Sequence, residues 1–513
     1  MNQAAPASTS RVSLVIRELA KRKNLLFAAF LVALAVAALL VGNGWPVVSA
    51  LALLAVVAGL RHRLGDSPPF AFGLPGVPDG PPSPSRIPSN AYSIVSAVVS
   101  VVATVMVVVD APDKAFVVLT AVAVVVWLVA AQSAFHVAWH TRRLRRALEA
   151  YSPEIAMAYA GRSGGPWQLM MWEPYLLRSG LRNVIINRNL THYQMILDSS
   201  DLESPFIQLG SNDKRDAAAL MVPSLRALYY VQNARNNSIF MRHKHVTHVW
   251  LNHGDSDKPA NFNPRHAYYD KLVVCGQAGI DRYERHGIHV DDHKFEIVGR
   301  PQAREIEMAS GPIADVEQPV VLYAPTWQGV DPSVNFSSLD QGVEIVRQLT
   351  ARGATVIFRP HPLSKRWKKR RTQIKQIIDV LKADRAESGR RHVYGKRAND
   401  DWSVADCTNH CDALVSDVSS VVSDFLQSEK PYAMMSMRAS IEDFRKEFAI
   451  AETAYVVLGD LSNLGQALDD MLGPDPLAAK RKERKRYVLG EFVGEESAEA
   501  FAELVRRLND RHV

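Results

Sequence analysis

The sequence is poor in cysteine, with only Cys275, Cys407 and Cys411 among its 513 residues. Three cysteines cannot form a disulfide framework, which fits a protein of a reducing compartment. Two of them stand in "CTNHC" (407–411), which supplies at most three metal ligands and has no second pair at a usual zinc spacing. We therefore interpret these cysteines as ordinary loop or core residues, and no metal site is expected from them.

Aromatic residues interleaved with basic ones, as single-stranded nucleic acid requires, are also missing. The net charge of +7 has a local cause in "KRWKKRRTQIK" (365–375), where seven basic residues accompany one aromatic, Trp367. This run is either a solvated helix face or a surface for anionic lipid head groups or a polyanionic product. Nucleic acid is not an expected partner.

Charged residues are nearly absent from four apolar runs at about 24–41, 45–60, 91–109 and 115–135. Each run approaches the roughly 20 residues that cross a bilayer, so the sequence predicts four transmembrane helices. Buried core helices are the alternative. Basic residues flank one side of these runs, which predicts a multi-pass protein of the cell membrane with cytoplasmic catalytic domains. We expect residues 1–147 to be a membrane anchor rather than a transport pathway, because the runs lack polar groups.

After residue 147 the pattern changes to short β-branched runs between helical stretches. Such runs predict buried parallel strands, and their number is sufficient for two doubly wound α/β sheets facing a cleft. The loop-like segment 311–319 divides the region into expected domains of 148–312 and 313–513. The runs are NVIINRN (183–189), HVTHVWLN (245–252), KLVVCG (271–276), FEIVG (295–299), PVVLYAPT (319–326), ATVIFRPHP (354–362), DALVSD (412–417) and PYAMMS (431–436).

Four polar clusters lie where predicted strands end: HGDSDK (253–258), YAPTW (323–327), RPHP (359–362) and SDVSSVVSDFLQSEKP (416–431). In the last cluster a strand leads into Asp417, and Ser419 and Ser420 begin a helix. Hydroxyl groups, unpaired backbone N–H groups and the helix dipole together form a phosphate site. A capped helix without a ligand is the alternative.

Together the four clusters resemble the CDP-glycerol glycerophosphotransferase family, the polymerases and primases of teichoic-acid synthesis. That family shows a histidine–glycine motif that usually reads HGTPLK, then YAPTW, RxHP and D-x-S-S…D…P segments in this order. The resemblance spans roughly residues 170–510 and implies a GT-B-like pair of domains, with the acceptor on the N-terminal domain and the nucleotide on the C-terminal one. It also implies transfer of glycerol phosphate, or a related polyol phosphate, from a CDP-linked donor to a lipid-linked or anionic polymer acceptor, with release of CMP.

The implied reaction requires a base and groups that neutralise pyrophosphate charge. His253 is the expected base, since an imidazole titrates near neutral pH; a histidine bonding within a turn is the alternative. His361, held stiffly between two prolines, is the expected phosphate clamp or leaving-group stabiliser. The residues expected to contact substrate or phosphate are Gly254, Lys258, Arg300, Thr326, Arg359, Asp417, Ser419, Ser420 and Asp424. For Asp417 and Asp424, fixing the loop is the alternative to binding the hydroxyl groups of glycerol.

One departure from the family pattern concerns Asp255-Ser256-Asp257, which stands where the family usually has Thr-Pro-Leu. Two extra carboxylates would repel a substrate phosphate or bind a divalent cation, the single cofactor that the sequence suggests. Two other functions stay open. One is a GT-B glycosyltransferase or sugar-nucleotide enzyme, and the other is a non-catalytic membrane scaffold with an α/β shell.

Overall fold

The computed structural model describes residues 67–82, 102, 113–161, 165–251, 261–329 and 335–510. The strands are β1 (Phe70–Phe72), β2 (Ile155–Tyr159), β3 (Asn183–Asn187), β4 (Phe206–Gln208), β5 (Ala227–Tyr230), β6 (Thr247–Trp250), β7 (Lys271–Val274), β8 (Phe295–Ile297), β9 (Val320–Ala324), β10 (Thr355–Phe358), β11 (Ala413–Ser416), β12 (Tyr432–Ser436) and β13 (Tyr455–Leu458). The α-helices are α1 (Asp113–Tyr151), α2 (Gly165–Met170), α3 (Glu173–Leu177), α4 (Tyr193–Asp198), α5 (Asp213–Leu220), α6 (Gln277–Arg285), α7 (Gly342–Ala351), α8 (Lys368–Ser388), α9 (Val404–Asn409), α10 (Ser420–Phe425), α11 (Ile441–Glu447), α12 (Leu464–Leu472), α13 (Ala478–Leu489) and α14 (Glu495–Asp510).

The chain divides into two compact units. The first comprises Met1–Tyr151 and Ile207–Leu220, and the second comprises Ser152–Phe206 and Met221–Val513. In the first unit the long helix α1 packs against β1 and α5. Leu144 and Leu148 are buried on α1, and Arg145 donates to the carbonyl oxygen of Ala219 at 3.0 Å.

The transmembrane part of the predicted fold requires correction. The expected spans at 24–41, 45–60 and 91–109 lie outside the described residues, and the expected span at 115–135 lies within α1, which continues without a break to Tyr151. Across the ranges that the structure describes, no helix has both the length and the apolar character that a bilayer crossing needs. This finding contradicts the predicted four-helix anchor and the predicted multi-pass membrane localisation.

The second unit contains two parallel sheets, as the alternation of apolar runs predicts. Six of its strands are neighbours in the order β3-β2-β5-β6-β7-β8, and five more form a separate sheet in the order β10-β9-β11-β12-β13. Every pairing among these strands is parallel. All eight predicted runs contain a strand. Most strand residues are buried, because helices cover both faces of such a sheet and leave no face for water.

The C-terminal helices α13 and α14 return to the first of these sheets. The Ser497 hydroxyl donates to the carbonyl oxygen of Val298 at 2.7 Å, and the rings of Trp172 and Phe501 lie 4.9 Å apart. The approach is closest at Gly299, which has φ +76°, and a Cβ there would lie 2.3 Å from the carbonyl oxygen of Phe492. Only glycine fits at this position, because both the backbone angle and the space exclude a side chain. The predicted boundary at 311–319 lies between β8 and β9, and the division into domains 148–312 and 313–513 stays a prediction.

Candidate functional site

Three of the four sequence clusters meet at the carboxyl ends of the strands of the second sheet. Strands β9 and β11 are neighbours, with Ala324 opposite Ser416, and β10 pairs with β9 on its other side. Chain order therefore reverses between β9 and β11, so the sheet has a topological switch point there. Ligands of doubly wound sheets bind beside the carboxyl ends of the strands at such a point. The residues that follow these two strands are those of the YAPTW and SDVSS clusters.

Asp417 holds the ends of β9 and β11 together. Its buried carboxylate accepts the backbone N–H of Thr326 at 2.7 Å and the backbone N–H of Ser338 at 3.2 Å. The Ser337 hydroxyl donates to the carbonyl oxygen of Thr326 at 2.8 Å. Burial, together with the charge of Asp417, raises the pKa of Tyr323 well above its usual value. Thr326 and Asp417, both predicted as site residues, therefore lie in contact and shape one loop.

His361 begins a short 3₁₀ helix, Pro362–Arg366, immediately after β10. Its backbone N–H donates to the carbonyl oxygen of Pro325 at 3.0 Å, which joins the RPHP cluster to YAPTW. Its ring Nδ1 accepts the backbone N–H of Leu363 at 3.1 Å. A neutral ring with Nδ1 as acceptor carries its proton on Nε2. The imidazole is therefore oriented as an Nε2–H donor, the form that a leaving-group phosphate oxygen would accept.

Arg359, predicted as a substrate or phosphate contact, makes its described hydrogen bonds to backbone carbonyl oxygens. Its Nη1 donates to the carbonyl oxygens of Ala398 and of Trp402, the latter at 2.7 Å, and lies 3.8 Å from Cys407 Sγ. These contacts attach the end of β10 to the segment before α9. The predicted substrate contact stays a prediction, while the observed contacts give Arg359 a structural task.

Ser419 caps α10, as the sequence predicts, and its hydroxyl accepts the N–H of Val421 at 3.3 Å. On the same short helix, Asp424 accepts from Nε of Arg300 at 2.7 Å. Arg300 follows β8 of the first sheet, so this ion pair joins the two predicted site residues across the two sheets. Ser420 is half-buried beside Ser419 at the start of the helix. The C-terminal half of α10, which carries Asp424, therefore lies next to the junction of the sheets.

The first cluster cannot be placed. His253, Gly254 and Lys258, with the intervening acidic residues, lie outside the described residues, which resume at Asn261. Their predicted roles as base and phosphate contacts therefore stay predictions, and so does the predicted divalent cation. In the described ranges no group of three or more His, Cys, Asp or Glu residues is arranged to hold a metal ion.

The CTNHC segment has a structural environment in which both thiols are buried. Burial raises the pKa of Cys407 and raises the pKa of Cys411 to about 12. The ammonium group of Lys430 donates to the carbonyl oxygens of Thr408 and Cys411 at 2.8 and 2.7 Å. The segment is thus anchored by a buried lysine, and both cysteines lie in the core.

The basic run at 365–375 occupies the end of the 3₁₀ helix and the start of α8. Most of its charges are exposed, but Arg370 is buried and donates to Asp340 and Gln328, both at 2.9 Å. Lys369 also meets Asp340, at 2.7 Å. Part of the run therefore holds the start of α8 to the loop after β9 and to the 3₁₀ helix Ser338–Asp340, and the predicted partners of the run stay predictions.

Two features escaped sequence reasoning. The first is an aromatic stack beside the imidazole: Trp327 and Trp367 lie 6.0 Å apart and nearly parallel, and His361 lies 6.2 Å from Trp327. The tryptophan in YAPTW and the one in the basic run were both visible, but nothing in the sequence brings them together. The two tryptophan rings pack beside the His361 imidazole, whose Nδ1 accepts the N–H of Leu363, and they further limit rotation of the imidazole.

The second feature is a cavity at the carboxyl ends of β6 and β7. Trp172, Trp250, Arg282 and Arg300 line it, and both arginines are buried. Behind it, the rings of Trp250 and His266 lie 4.5 Å apart, and Nδ1 of His266 lies 2.6 Å from the hydroxyl of Tyr283. Burial lowers the pKa of His266 to about 3, so this ring is neutral and packs behind the lining residues Trp250 and Tyr283. Arg282 stands within the helical sequence GIDRYERHG, where no pattern distinguishes it from its exposed neighbour Arg285.

Comparison with protein families gives one match. The sequence profile of the family described as CDP-Glycerol:Poly(glycerophosphate) glycerophosphotransferase matches residues 297–447. This segment contains the YAPTW, RPHP and SDVSS clusters, and the His253 cluster precedes it. The match confirms the resemblance predicted from the motifs and the prediction of a glycerophosphotransferase-like enzyme. A search of curated proteins found no match.

Comparison with solved structures gives several structural matches. A structure of the wall teichoic acid polymerase TagF is 14% identical, with 73% of this chain and 94% of that chain covered and a TM-score of 0.42. A UDP-N-acetylglucosamine 2-epimerase is 13% identical, with coverages of 69% and 96% and a TM-score of 0.43. MurG of Acinetobacter baumannii is 8% identical, with coverages of 69% and 100% and a TM-score of 0.44.

Proposed function

We propose that the chain transfers glycerol phosphate, or a related polyol phosphate, from a CDP-linked donor to a hydroxyl group of a lipid-linked or polymeric acceptor. The product would be a teichoic-acid-like polymer of the cell envelope. The acceptor oxygen bonds to the donor's β-phosphorus, and the bond from that phosphorus to the bridging oxygen breaks. CMP leaves with the bridging oxygen, and the proton of the acceptor hydroxyl passes to the base.

The observation that carries this proposal is the hydrogen-bonded meeting of three family motifs at the switch point. Asp417 accepts from Thr326, and His361 donates its backbone N–H to Pro325, so the three loops hold one geometry. A pyrophosphate beside the ends of β9 and β11 would meet the hydroxyls of Ser419 and Ser420. Preformed donors of this kind stabilise charge that develops on a leaving phosphate without reorganisation during the reaction.

His361 acts on the leaving group in this mechanism. Its Nδ1 accepts the N–H of Leu363, and Nε2–H is the proposed donor to a substrate oxygen. A hydrogen bond to a phosphate oxygen strengthens as negative charge accumulates on CMP, which lowers the barrier rather than only improving binding. Arg300 is held by Asp424 at the junction of the sheets, and we assign it the role of a substrate contact beside that ion pair.

His253 is the proposed base, with Gly254 and Lys258 as neighbouring phosphate contacts, on the strength of the motif in which they stand. An imidazole with a pKa of about 6.5 accepts a hydroxyl proton near neutral pH. Removing a positioned base typically costs about 100- to 10,000-fold in rate.

The test is CMP release by the purified full-length protein supplied with CDP-glycerol, CDP-ribitol or a UDP-sugar, with a membrane or polymer extract as acceptor source. We expect CMP from a CDP-polyol, and a loss of at least roughly 100-fold in kcat for His253→Ala and for His361→Ala. His289→Gln is the matched control, because this histidine is 93% exposed and lies outside the site.

Two results would reject the proposal. UDP release from a UDP-sugar with no turnover of either CDP-polyol would assign the chain to sugar-nucleotide chemistry. Normal product formation in both histidine variants would indicate a scaffold without catalysis.

A further inference from the structure

The loop after β9 forms one wall of the proposed donor site. The backbone N–H groups of Thr326 and Ser338 both donate to the carboxylate of Asp417, at 2.7 and 3.2 Å. Between these two residues in the sequence stands Trp327, whose ring lies 6.2 Å from the ring of His361. A residue that holds this loop therefore also sets the surroundings of the imidazole. This step rests on the proposed function.

Arg370, in the first turn of α8, contacts the loop near both of its ends. Its side chain is 4% exposed. Nε donates to Oε1 of Gln328, and Nη1 donates to Oδ2 of Asp340, each at 2.9 Å. Gln328 directly follows Trp327, and Asp340 ends the 3₁₀ helix Ser338–Asp340. One planar guanidinium group thus bridges two parts of the loop, which the compact ammonium group of a lysine could not do in the same geometry.

The Asp340 carboxylate keeps its charge for this contact. Lys369 and Gln373 donate to its Oδ1 at 2.7 and 2.6 Å, while Arg370 donates to its Oδ2. Partial burial raises the pKa of Asp340, but the hydrogen bonds from Lys369 and Gln373 and the charge of Arg370 lower it by more, so its pKa lies below the usual value. The carboxylate therefore stays ionised around neutral pH, where the bridge through Arg370 is complete.

The segment that leads into α8 also meets the Trp327 ring. Trp367 directly precedes the helix, and its ring lies 6.0 Å from that of Trp327 with an angle of 15° between the planes. Trp327 thus packs beside both Trp367 and His361. Because the next residue, Gln328, is bonded to Arg370, a displacement of Gln328 would move the indole relative to the imidazole.

We propose that Arg370 is a positioning residue for the transfer reaction, which holds the loop after β9 so that the Trp327 indole stays packed beside the His361 imidazole. In this role Arg370 does not touch substrate, and its effect passes through Gln328 and Asp340. A misplacement of about 1 Å at a reacting group can cost roughly 100-fold in rate. Loss of the bridge would therefore reduce turnover rather than binding of the donor.

The test is CMP release from CDP-glycerol by the full-length protein, with a membrane or polymer extract as acceptor source. Arg370→Gln should lower kcat by roughly 10- to 100-fold and leave KM for CDP-glycerol within about threefold. Arg370→Lys should lose less, because its ammonium group can still pair with Asp340 but cannot also reach Gln328 in the same geometry. Lys368→Gln is the matched control, since it removes an equal charge from an exposed position of the same helical turn and should keep kcat within about twofold.

A spectroscopic measurement tests the displacement without turnover. Near-ultraviolet circular dichroism reports fixed packing of aromatic side chains. Trp367→Leu gives the spectrum without the stacked pair, and Arg370→Gln should shift the wild-type spectrum toward it, whereas Lys368→Gln should not. Far-ultraviolet circular dichroism shows whether each variant is folded. If Arg370→Gln does not fold, Gln328→Leu decides the question, since it removes the acceptor beside Trp327 and should lower kcat by a similar factor.

The inference is overturned if Arg370→Gln keeps the wild-type kcat, or if Lys368→Gln loses as much, since charge alone would then explain the effect. A change confined to KM would overturn it too, because Arg370 would then bind the donor. An unaltered near-ultraviolet spectrum in Arg370→Gln would show that the indole pair does not depend on this residue. Absence of CMP release by the wild-type protein would instead refute the proposed function, and the spectra would still decide whether Arg370 holds the loop.

Discussion

Breaking the ion pair between Arg300 and Asp424 is expected to loosen the junction of the two parallel sheets. The Nε and Oδ1 atoms lie 2.7 Å apart, and the two side chains are 5% and 14% exposed. Replacing one partner leaves the other charge buried without its counter-ion, which costs about 3–5 kcal/mol in typical buried pairs. We expect a value near 3 kcal/mol for Asp424→Ala and for Arg300→Met, because water still reaches part of the carboxylate.

A double-mutant cycle measures the interaction itself. The double variant removes both charges, so it should lose less than the sum of the two single losses, by about 2 kcal/mol. The matched control is the pair Lys446–Glu442, with side chains 67% and 79% exposed, for which the coupling should be no more than about 0.5 kcal/mol.

The assay is urea unfolding of the full-length protein and of each variant, followed by far-UV circular dichroism. A coupling energy below about 0.5 kcal/mol for Arg300 and Asp424, equal to that of the exposed pair, would refute the reasoning. It would mean that the two residues are neighbours without holding the sheets together.

Three further perturbations follow from local geometry. Asp417→Asn should lower the free energy of unfolding by about 2 kcal/mol and slow CMP release, because an amide cannot accept every N–H that the carboxylate accepts. The control is Asp412→Asn, where the carboxylate accepts one backbone N–H, and urea unfolding should show a smaller loss for it. Gly299→Ala should cost several kcal/mol by thermal melting, since its Cβ would meet a backbone oxygen, whereas Gly287→Ala, at φ +65° in open space, should cost about 1 kcal/mol. The pKa of His266 is lowered to about 3 by burial, so the folded state binds fewer protons than the unfolded state below about pH 6.5 and loses stability as the pH falls. Urea unfolding should show about 2 kcal/mol lost between pH 7 and 5 from this group, and His266→Gln should remove that loss.

Each of these has a definite contrary result. Equal losses of unfolding free energy in the Asp417 and Asp412 variants would show that accepting a second backbone N–H adds no stability. Equal melting temperatures for the two glycine variants would show that the segment after α13 does not approach Gly299 closely. An unchanged pH dependence in the His266 variant would assign acid sensitivity to other groups.

Much of the second sheet could be predicted because its signals are local. Runs such as VVLYA and TVIF are apolar on both faces, which only a strand covered by helices tolerates, and their polar followers mark the strand ends. The residues of the four clusters and their order along the chain were sufficient to identify the resemblance to the glycerophosphotransferase family. Strands β1, β2, β4, β5 and β13 were missed, although turn residues flank two of them: Ser152-Pro153 precedes IAMAY and Gly459-Asp460 follows YVVL.

The four-helix membrane anchor was the main wrong prediction. It was drawn from the hydropathy of the four runs, whereas no helix among the described residues is long and apolar enough to cross a bilayer. The helix that contains residues 115–135 continues through a segment whose Leu144 and Leu148 pack in the first unit. Helix α1 packs against α5 in the first unit, and α5 is distant in sequence. No pattern near residues 115–151 predicts this contact.

Residue types and their order determined which chemistry this protein is equipped for: parallel strands ending in histidine, serine and aspartate, and motifs of a glycerophosphotransferase. Only tertiary structure decided what each residue does there. The Asp417 carboxylate accepts a backbone N–H of the loop after β9, and Arg359 donates to backbone carbonyl oxygens. Arg282 and Arg300 line one cavity. The physical reason is that apolar periodicity is read from neighbours along the chain, whereas a hydrogen bond or a buried charge depends on groups that folding brings from far away.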